Sequence, residues 1–144
     1  MNQSETSEQQ PIRRVGIVAK SQLNEAAGLL ADLKTWLTAH NVTPVFETST
    51  ATLASLDVKT LDRDDLPSDV DMVLVLGGDG TLLSMAGRIA ETGANIPMLA
   101  VNFGGLGFLT EITLDELYPS LELALNGTAK LDQRHMLQAV VKRN

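Results

Sequence analysis

Cysteine is absent from this 144-residue chain, and aromatic residues make up only 3% of it. Without cysteine, the protein has neither disulfide bonds nor a zinc or iron–sulfur site built on thiolates. Basic residues are few as well: 11 Lys and Arg side chains stand against 18 Asp and Glu side chains, and the net charge is −7. Because nucleic acid and anionic membranes attract basic surfaces, this balance argues against both as partners.

Long apolar segments are also missing. The longest unbroken aliphatic runs have five or six residues, whereas a helix that spans a membrane needs about 20. Residues 1–10 are polar and include Glu5 and Glu8, so they lack the basic and apolar regions of a signal peptide. The sequence therefore predicts a cytoplasmic protein, and its length suits one domain.

Glycine, in contrast, is concentrated in one part of the chain. Eight of the 11 glycines lie between Gly77 and Gly107. Because glycine loses more conformational entropy on folding than any other residue, this cluster requires a structural or functional reason.

Short apolar runs rich in β-branched residues predict five strands. They cover residues 14–19, 42–46, 72–76, 96–101 and 136–141. The third run is apolar at every position, which is typical of a central strand covered on both faces. Pro44 indicates that the second strand lies at an edge or ends near this residue.

Apolar residues at helical spacing predict three helices. They cover residues 23–40, 81–92 and 113–126. Ser21 is the expected N-cap of the first helix, and Thr113 with Glu116 has the spacing of a capping box for the third. Pro119 predicts a kink or a new start in that third helix.

The alternation of strands and helices predicts an α/β fold with an open, mostly parallel, Rossmann-like sheet and flanking helices. Residues 1–11 are predicted to be a disordered tail, residues 12–132 the α/β domain, and residues 133–144 a terminal strand segment. Ligands of such sheets bind at the carboxyl ends of the strands. Both glycine-rich segments follow predicted strands, so we expect both at this edge.

Six aspartates crowd residues 57–71. They predict either a metal cluster or a solvated acidic loop. The solvated loop is the favoured interpretation, because the calcium-loop pattern Asp-x-Asp-x-Asp-Gly is absent.

The first glycine-rich segment is Gly77, Gly78, Asp79, Gly80 and Thr81, between a predicted strand and a predicted helix. Its glycines allow a ligand to approach the backbone closely. The free N–H groups and the dipole of the helix favour an anion, and phosphate is the natural one. The segment lacks the Gly-Lys-Ser/Thr of a Walker A loop and the Gly-x-Gly-x-x-Gly of a dinucleotide fingerprint.

Asp79 is a carboxylate beside this predicted phosphate loop. It could accept a proton from an attacking hydroxyl, or it could hold Mg²⁺ that bridges phosphates. Both roles indicate phosphoryl transfer. A structural alternative is an Asp that bonds its own backbone in a tight turn. No residue is assigned as a resident metal ligand from the sequence.

The second glycine-rich segment covers residues 102–111. Gly104, Gly105 and Gly107 predict a close backbone approach to a ligand. Phe108 could pack on an adenine or nicotinamide ring, or it could be a core residue beside a tight turn. Asn102 could bond phosphate or ribose, or it could cap the turn.

Cations are scarce near both segments. Arg88 is the only basic residue between Gly77 and Gly107, and its position two helical turns beyond the first loop favours a solvated role. Bound phosphates must therefore be neutralised by backbone N–H groups, by Mg²⁺ or by residues outside this window.

Together, the two segments resemble the NAD kinase family. The sequence Gly-Gly-Asp-Gly-Thr at residues 77–81 is shared with diacylglycerol and sphingosine kinases, but Asn-x-Gly-x-Leu-Gly-Phe-Leu-Thr at residues 102–110 narrows the resemblance. It implies transfer of the γ-phosphoryl group of ATP, or of polyphosphate, to the 2′-hydroxyl of the adenosine ribose of NAD, with Mg²⁺. The product is NADP.

The resemblance also assigns roles to individual residues. Asp79 matches the catalytic aspartate, and Gly80 matches a residue that contacts NAD. Leu83 and Phe108 match positions that line the adenine pocket, and Thr81 belongs to the phosphate loop with its glycines.

Members of this family have a second, β-rich domain that helps to bind NAD and to build a homo-oligomer. Residues 133–144 resemble the entry into that domain. The chain is therefore expected to be an N-terminal domain that is inactive alone. The alternatives are a lipid kinase of the diacylglycerol type and a nucleotide-binding module without activity.

Overall fold

The computed structural model describes residues 10–105 and 107–144. Of the predicted tail at residues 1–11, all but Gln10 and Pro11 lie outside the described residues. These two are exposed and belong to no helix or strand.

One parallel sheet of five strands organises the described chain, in the spatial order β3-β2-β1-β4-β5. The strands are β1 (Arg14–Ala19), β2 (Thr43–Glu47), β3 (Thr60–Leu61), β4 (Met72–Gly77) and β5 (Met98–Asn102). The helices are α1 (Ala27–Ala39), α2 (Thr48–Leu53), α3 (Asp79–Thr92) and α4 (Leu117–Leu125). The predicted α/β fold is confirmed.

β4 forms the centre of the core, because all of its residues are buried. Successive side chains of a strand point to opposite faces. Leu74 accordingly packs in one layer with Leu33 of α1 and Leu121 of α4. Val75 packs in the other layer with Met85 of α3. The strand is thus covered on both faces, as its uniformly apolar sequence predicts.

Pro44 lies where β2 has a single neighbour. The Thr43 amide donates to the Arg13 carbonyl at 2.8 Å, so the nitrogen of the next residue points away from β1. On that side β3 pairs only with Phe46 and Glu47. Proline therefore costs the sheet no hydrogen bond at this position, and the predicted strand end is confirmed.

Three of the predicted helix ends coincide with left-handed residues. Asn41, Gly93 and Gly127 have φ angles of 59°, 69° and 72°. Gly93 and Gly127 follow α3 and α4 closely and reverse the chain at low steric cost. The helix around Pro119 starts afresh: a 3-10 turn over Leu114–Glu116 precedes α4, and Pro119 lies in the first turn of α4.

The N-cap predicted at Ser21 is wrong. The Leu23 amide donates to the Lys20 carbonyl at 3.2 Å, which places Ser21 inside a turn. α1 begins only at Ala27, after a 3-10 turn over Asn24–Ala26. The chain needs this turn because it must reverse direction at the end of β1 before α1 can pack back on the sheet.

Sequence patterns did not predict α2 and β3. α2 has six residues and β3 has two, and both are too short for a periodic signal. α2 is also rich in threonine, a weak helix former. Contacts of Glu47 and Thr50 described below hold α2 in place, and β3 is held by its pairing with Phe46 and Glu47 of β2.

The strand predicted at residues 136–141 is wrong for this chain. Residues 131–144 form neither helix nor strand, and all of them are exposed. A strand needs a neighbouring strand to pair its N–H and C=O groups, and the described residues supply none here. The assignment of residues 133–144 as an entry into a further domain stays a prediction. Within the described ranges, no helix has the length and apolar character needed to cross a membrane.

We predict that Leu74→Ala destabilises the fold by about 2–5 kcal/mol, because it opens a cavity between β4 and the helices above it. The measurement is the free energy of unfolding from urea denaturation. Leu123→Ala is the matched control, since Leu123 is half exposed and its truncation leaves no cavity. Equal losses in the two variants would contradict the assignment of the core.

Candidate active site

The two glycine-rich segments meet at the carboxyl edge of the sheet. β4 ends at Gly77 and β5 at Asn102, and these two residues pair in the sheet. The Phe103 amide then donates to the Gly77 carbonyl at 2.9 Å. We call residues 77–81 the first loop and residues 102–110 the second loop. Their predicted proximity is confirmed.

The first loop leads directly into α3. Gly78 is the N-cap, and the helix begins at Asp79, two residues earlier than predicted. Gly80 and Thr81 therefore belong to the first helical turn, whose N–H groups lack partners within the helix. A Cβ on Gly78 or Gly80 would meet nothing within 4 Å. The backbone is thus open on this side, which suits an anionic ligand.

Gly77 is a glycine because other residues crowd it. A Cβ there would lie 2.9 Å from the Thr81 hydroxyl oxygen and 3.1 Å from the Lys20 Cβ. The Lys20 amide also donates to the Leu76 carbonyl at 2.8 Å. Gly77 therefore allows the end of β1 and the first turn of α3 to approach each other.

Asp79 connects the two loops. Its carboxylate accepts the amide hydrogens of Phe108 at 2.9 Å, Leu109 at 3.2 Å and Thr110 at 3.1 Å. It also accepts the Thr110 hydroxyl at 3.0 Å. A Cβ on Gly107 would collide with this carboxylate, so only glycine fits there. Asp79 is thus bonded to the opposite loop and not to its own turn.

These contacts determine the protonation state of the Asp79 carboxyl. Desolvation raises the pKa of the carboxyl, but the hydrogen bonds from the Thr110 hydroxyl and from the amides of Phe108, Leu109 and Thr110 outweigh this effect. The pKa of Asp79 therefore lies below its ordinary value, and the group is ionised at neutral pH.

Asn102 organises the second loop. Its side-chain amide donates to the Gly105 carbonyl at 2.7 Å and to the Thr110 hydroxyl at 2.9 Å. Its side-chain oxygen accepts the Gly104 amide at 2.7 Å. The Asn102 backbone amide closes the loop by donating to the Ile112 carbonyl at 2.8 Å. These contacts match the turn-capping alternative for Asn102.

Thr110 is a site residue that the sequence did not single out. It is buried, and its hydroxyl accepts a hydrogen bond from Asn102 and donates one to Asp79. The available signal was its position at the end of the second loop's motif. Thr110 therefore links Asn102, which organises the second loop, to the Asp79 carboxylate on α3.

The two apolar residues assigned to the adenine pocket lie on the surface. Phe108 is 95% exposed and Leu83 is 54% exposed. The alternative that Phe108 is a core residue is therefore wrong, because the backbone bonds of residues 108–110 to Asp79 hold the segment above the sheet edge. The ring is free to stack on a planar ligand.

A second polar cluster fixes the adjacent strand ends. Glu47 is only 5% exposed and accepts hydrogen bonds from Arg63 at 3.0 Å, Thr50 at 2.6 Å and Ser49 at 2.8 Å. The Thr50 hydroxyl also accepts the Ala19 amide at 2.9 Å. This cluster joins the ends of β1 and β2 to α2 and to the acidic stretch.

The acidic stretch does not form the metal cluster that was one alternative. In the part of the chain that the structure describes, no group of three or more His, Cys, Asp or Glu side chains could hold a metal ion. Arg63 binds Glu47, and Arg88 binds Asp64 at 2.7 Å. The stretch instead supplies ion pairs that fasten α3 and the end of β2.

The chain is thus an α/β domain with an open helix N-terminus at the carboxyl edge of a parallel sheet, which is where such domains commonly bind phosphorylated ligands. The family described as the ATP-NAD kinase N-terminal domain matches residues 15–129. The chain belongs to this NAD kinase family. The resemblance drawn from the two loops is confirmed, and the lipid-kinase alternative is set aside.

Curated relatives give the same result. The NAD kinase of Acidobacterium capsulatum is 42% identical over 134 residues, which is 92% of this chain and 46% of the relative. The NAD kinase of Syntrophobacter fumaroxidans is 43% identical over 132 residues, or 92% of this chain and 45% of the relative. The chain thus spans about half the length of the curated relatives it matches.

A solved structure shares the fold. The yeast NADH kinase, solved in complex with NADH, superposes with a TM-score of 0.71 over 84% of this chain and 40% of that protein. The sequences are 24% identical, so this likeness supports the architecture.

We predict that Glu47→Gln destabilises the fold by about 1–3 kcal/mol at neutral pH, because it weakens a buried, charge-assisted network. Burial raises the pKa of Glu47, but the hydrogen bonds and charge of Arg63, with Thr50 and Ser49, lower it below its ordinary value of 4.5. Ionised Glu47 therefore stabilises the fold above this value, and the benefit is lost as the pH falls through the lower folded-state pKa.

Urea denaturation at neutral pH and at a pH below 4.5 measures this effect. The stability difference between the parent chain and Glu47→Gln should shrink at the lower pH. Glu122→Gln, on the exposed side of α4, is the control and should cost little at either pH. A difference that grows on acidification would show that the assigned direction of the pKa is wrong.

Proposed function

We propose that this chain supplies the phosphate loop and the catalytic carboxylate of an NAD kinase. The reaction is transfer of the γ-phosphoryl group of MgATP to the 2′-hydroxyl of the adenosine ribose of NAD, which gives NADP and ADP. Polyphosphate is the alternative donor. The observation that carries the proposal is the position of Asp79, which lies in the first turn of α3 and is bonded to the second loop.

In this proposal the backbone of the first loop binds the transferred group. The backbone at Gly78 and Gly80 is open, since a Cβ on either would meet nothing within 4 Å, and the free N–H groups of this first turn stabilise the negative charge on the phosphoryl oxygens. The 2′-oxygen forms a bond to the γ-phosphorus as the bond to the β,γ-bridging oxygen breaks, and ADP carries that electron pair away.

Asp79 receives the proton of the 2′-hydroxyl. An ionised carboxylate has about four lone-pair sites, and Asp79 already accepts four hydrogen bonds from Phe108, Leu109 and Thr110. Three of these bonds go to Oδ1 and only the Phe108 amide bonds Oδ2, so Oδ2 keeps a lone pair that can accept the substrate hydroxyl. In this proposal the second loop holds Asp79 in place while its Oδ2 receives the proton.

Magnesium fits this site as part of the donor substrate. Among the described residues, no group of three or more His, Cys, Asp or Glu side chains could hold a metal ion, and Asp79 already accepts four hydrogen bonds. Mg²⁺ is commonly held by substrate phosphates, water and one or two carboxylates. We therefore assign no resident metal ligand, and the ion arrives on ATP.

The acceptor binds beside the exposed apolar residues. Leu83 and Phe108 lie on the segments that flank Asp79, and both offer apolar surface to an adenine ring. Gly80 follows Asp79 directly in the open first turn of α3, and in this proposal it contacts NAD. The predicted homo-oligomer and the predicted cytoplasmic location stay predictions.

We predict that Asp79→Asn lowers kcat for NADP formation by about 1,000-fold in the full-length kinase that contains this chain, because the proton acceptor is lost. Thr110→Val is the matched control. It removes one hydroxyl donor from Asp79 but keeps the carboxylate, so turnover should fall by about tenfold or less. Near-normal turnover of Asp79→Asn would refute the assignment of the base.

A second prediction concerns the 144-residue chain by itself. It should form no NADP from NAD and MgATP and should bind NAD weakly, because half of a site cannot hold two substrates at reacting distance. Isothermal titration calorimetry with NAD and an NADP-coupled assay measure the two properties. Tight NAD binding or steady NADP production by this chain would contradict the prediction.

A further inference from the structure

A phosphoryl-transfer site needs positive charge beyond backbone amides, and the glycine-rich window does not supply it. Arg88 is the only basic residue between Gly77 and Gly107. Its guanidinium donates to Asp64 and to Ser84. Arg63 is engaged similarly, with Glu47 and Ser84 as partners. Both arginines are therefore committed to structural ion pairs.

The fold brings one cation to the first loop from a distant part of the sequence. Lys20 directly follows β1, and its amide donates to the Leu76 carbonyl at 2.8 Å. Its Cβ lies 3.1 Å from the point where a Cβ of Gly77 would stand, and the Thr81 hydroxyl lies 2.9 Å from the same point. Lys20 and the first turn of α3 thus share one corner of the site.

This corner is the topological switch point of the sheet. β1 and β4 are neighbours, but α1 packs on one face of the sheet and α3 on the other. The connections after the two strands therefore diverge and leave a crevice between their carboxyl ends. Lys20 lies on one side of this crevice, and the open backbone of Gly78 and Gly80 lies on the other.

The ammonium group of Lys20 is available. Lys20 is exposed, and none of the ion pairs among the described residues includes it. A lysine side chain is a flexible four-carbon stem that carries its charge about 6 Å from the backbone. The Lys20 Cβ already lies beside the first turn of α3, since it and the Thr81 hydroxyl oxygen stand 3.1 and 2.9 Å from the same point.

We propose that Lys20 binds the phosphate chain of the phosphoryl donor against the first loop. The inference rests on the proposed kinase function and adds a donor-binding residue to it. The Lys20 ammonium places a positive charge beside oxygens of the γ-phosphate and of the phosphates that stay on the donor. The N–H groups of Gly78 and Gly80 bind the same phosphates from the opposite side.

Titration of the ¹⁵N-labelled chain with inorganic pyrophosphate, and separately with MgATP, tests this proposal. The amide signals of residues 77–81 should shift with a saturable dependence on ligand. Lys20→Met keeps an apolar stem of similar length but removes the charge, and it should weaken binding about tenfold. Lys20→Arg should restore most of the affinity. Unchanged amide signals away from the loop will show that each variant is folded.

Lys59→Met is the matched control. Lys59 is exposed and precedes β3, which is separated from β1 by β2. The substitution changes the net charge by the same amount as Lys20→Met and should leave the affinity unchanged. Equal weakening by both variants would assign the effect to net charge and overturn the role of Lys20.

Two further outcomes separate this proposal from the proposed function. If the first loop binds pyrophosphate equally well in the parent chain and in Lys20→Met, the role of Lys20 is refuted and the phosphate loop stands. If neither ligand shifts the amide signals of residues 77–81 in the parent chain, the phosphate loop itself is refuted, and the role of Lys20 with it.

A kinetic measurement in the full-length kinase gives a second test. Lys20→Met should raise KM for MgATP about tenfold and leave KM for NAD unchanged. The reverse pattern would also overturn the proposal.

Discussion

The Asp79 carboxylate accepts four hydrogen bonds from residues 108–110, and the geometry of the site depends on them. They tie α3 to a loop that begins at the end of the neighbouring strand, so two segments far apart in sequence form one surface. Gly107 is glycine because it packs directly on this carboxylate. Asn102 and Thr110 in turn order the loop that provides the donors.

The same bonds allow a carboxylate to lie beside a loop that suits a phosphate. A free carboxylate would repel the anion that the open N-terminus of α3 attracts. Bonding to three backbone amides and a hydroxyl disperses its charge and lowers its pKa. The four donors thus keep the carboxylate ionised and hold it in place, and only one of them bonds Oδ2.

Much of the fold and of the site could be predicted from local patterns. The apolar run of β4, the left-handed ends at Gly93 and Gly127, and the two glycine-rich motifs are all signals within a few residues. The N-cap predicted at Ser21 was wrong, because this residue lies inside a turn. The strand predicted at residues 136–141 was also wrong, because the described residues supply no neighbouring strand for it. Lys20 carried no local signal, and Thr110 was marked only by its position at the end of the second loop's motif, because the first loop that both residues approach follows another strand.

The sequence by itself determined the parallel α/β class, the strand with two covered faces and the family, because each depends on periodicity or on a short motif. The tertiary structure alone decided which groups touch. It bonded Asp79 to the second loop, buried Glu47 against Arg63, and placed Lys20 beside Gly77. The physical reason is that parallel strands bring their carboxyl ends to one edge, so residues separated by tens of positions become neighbours only after the sheet has formed.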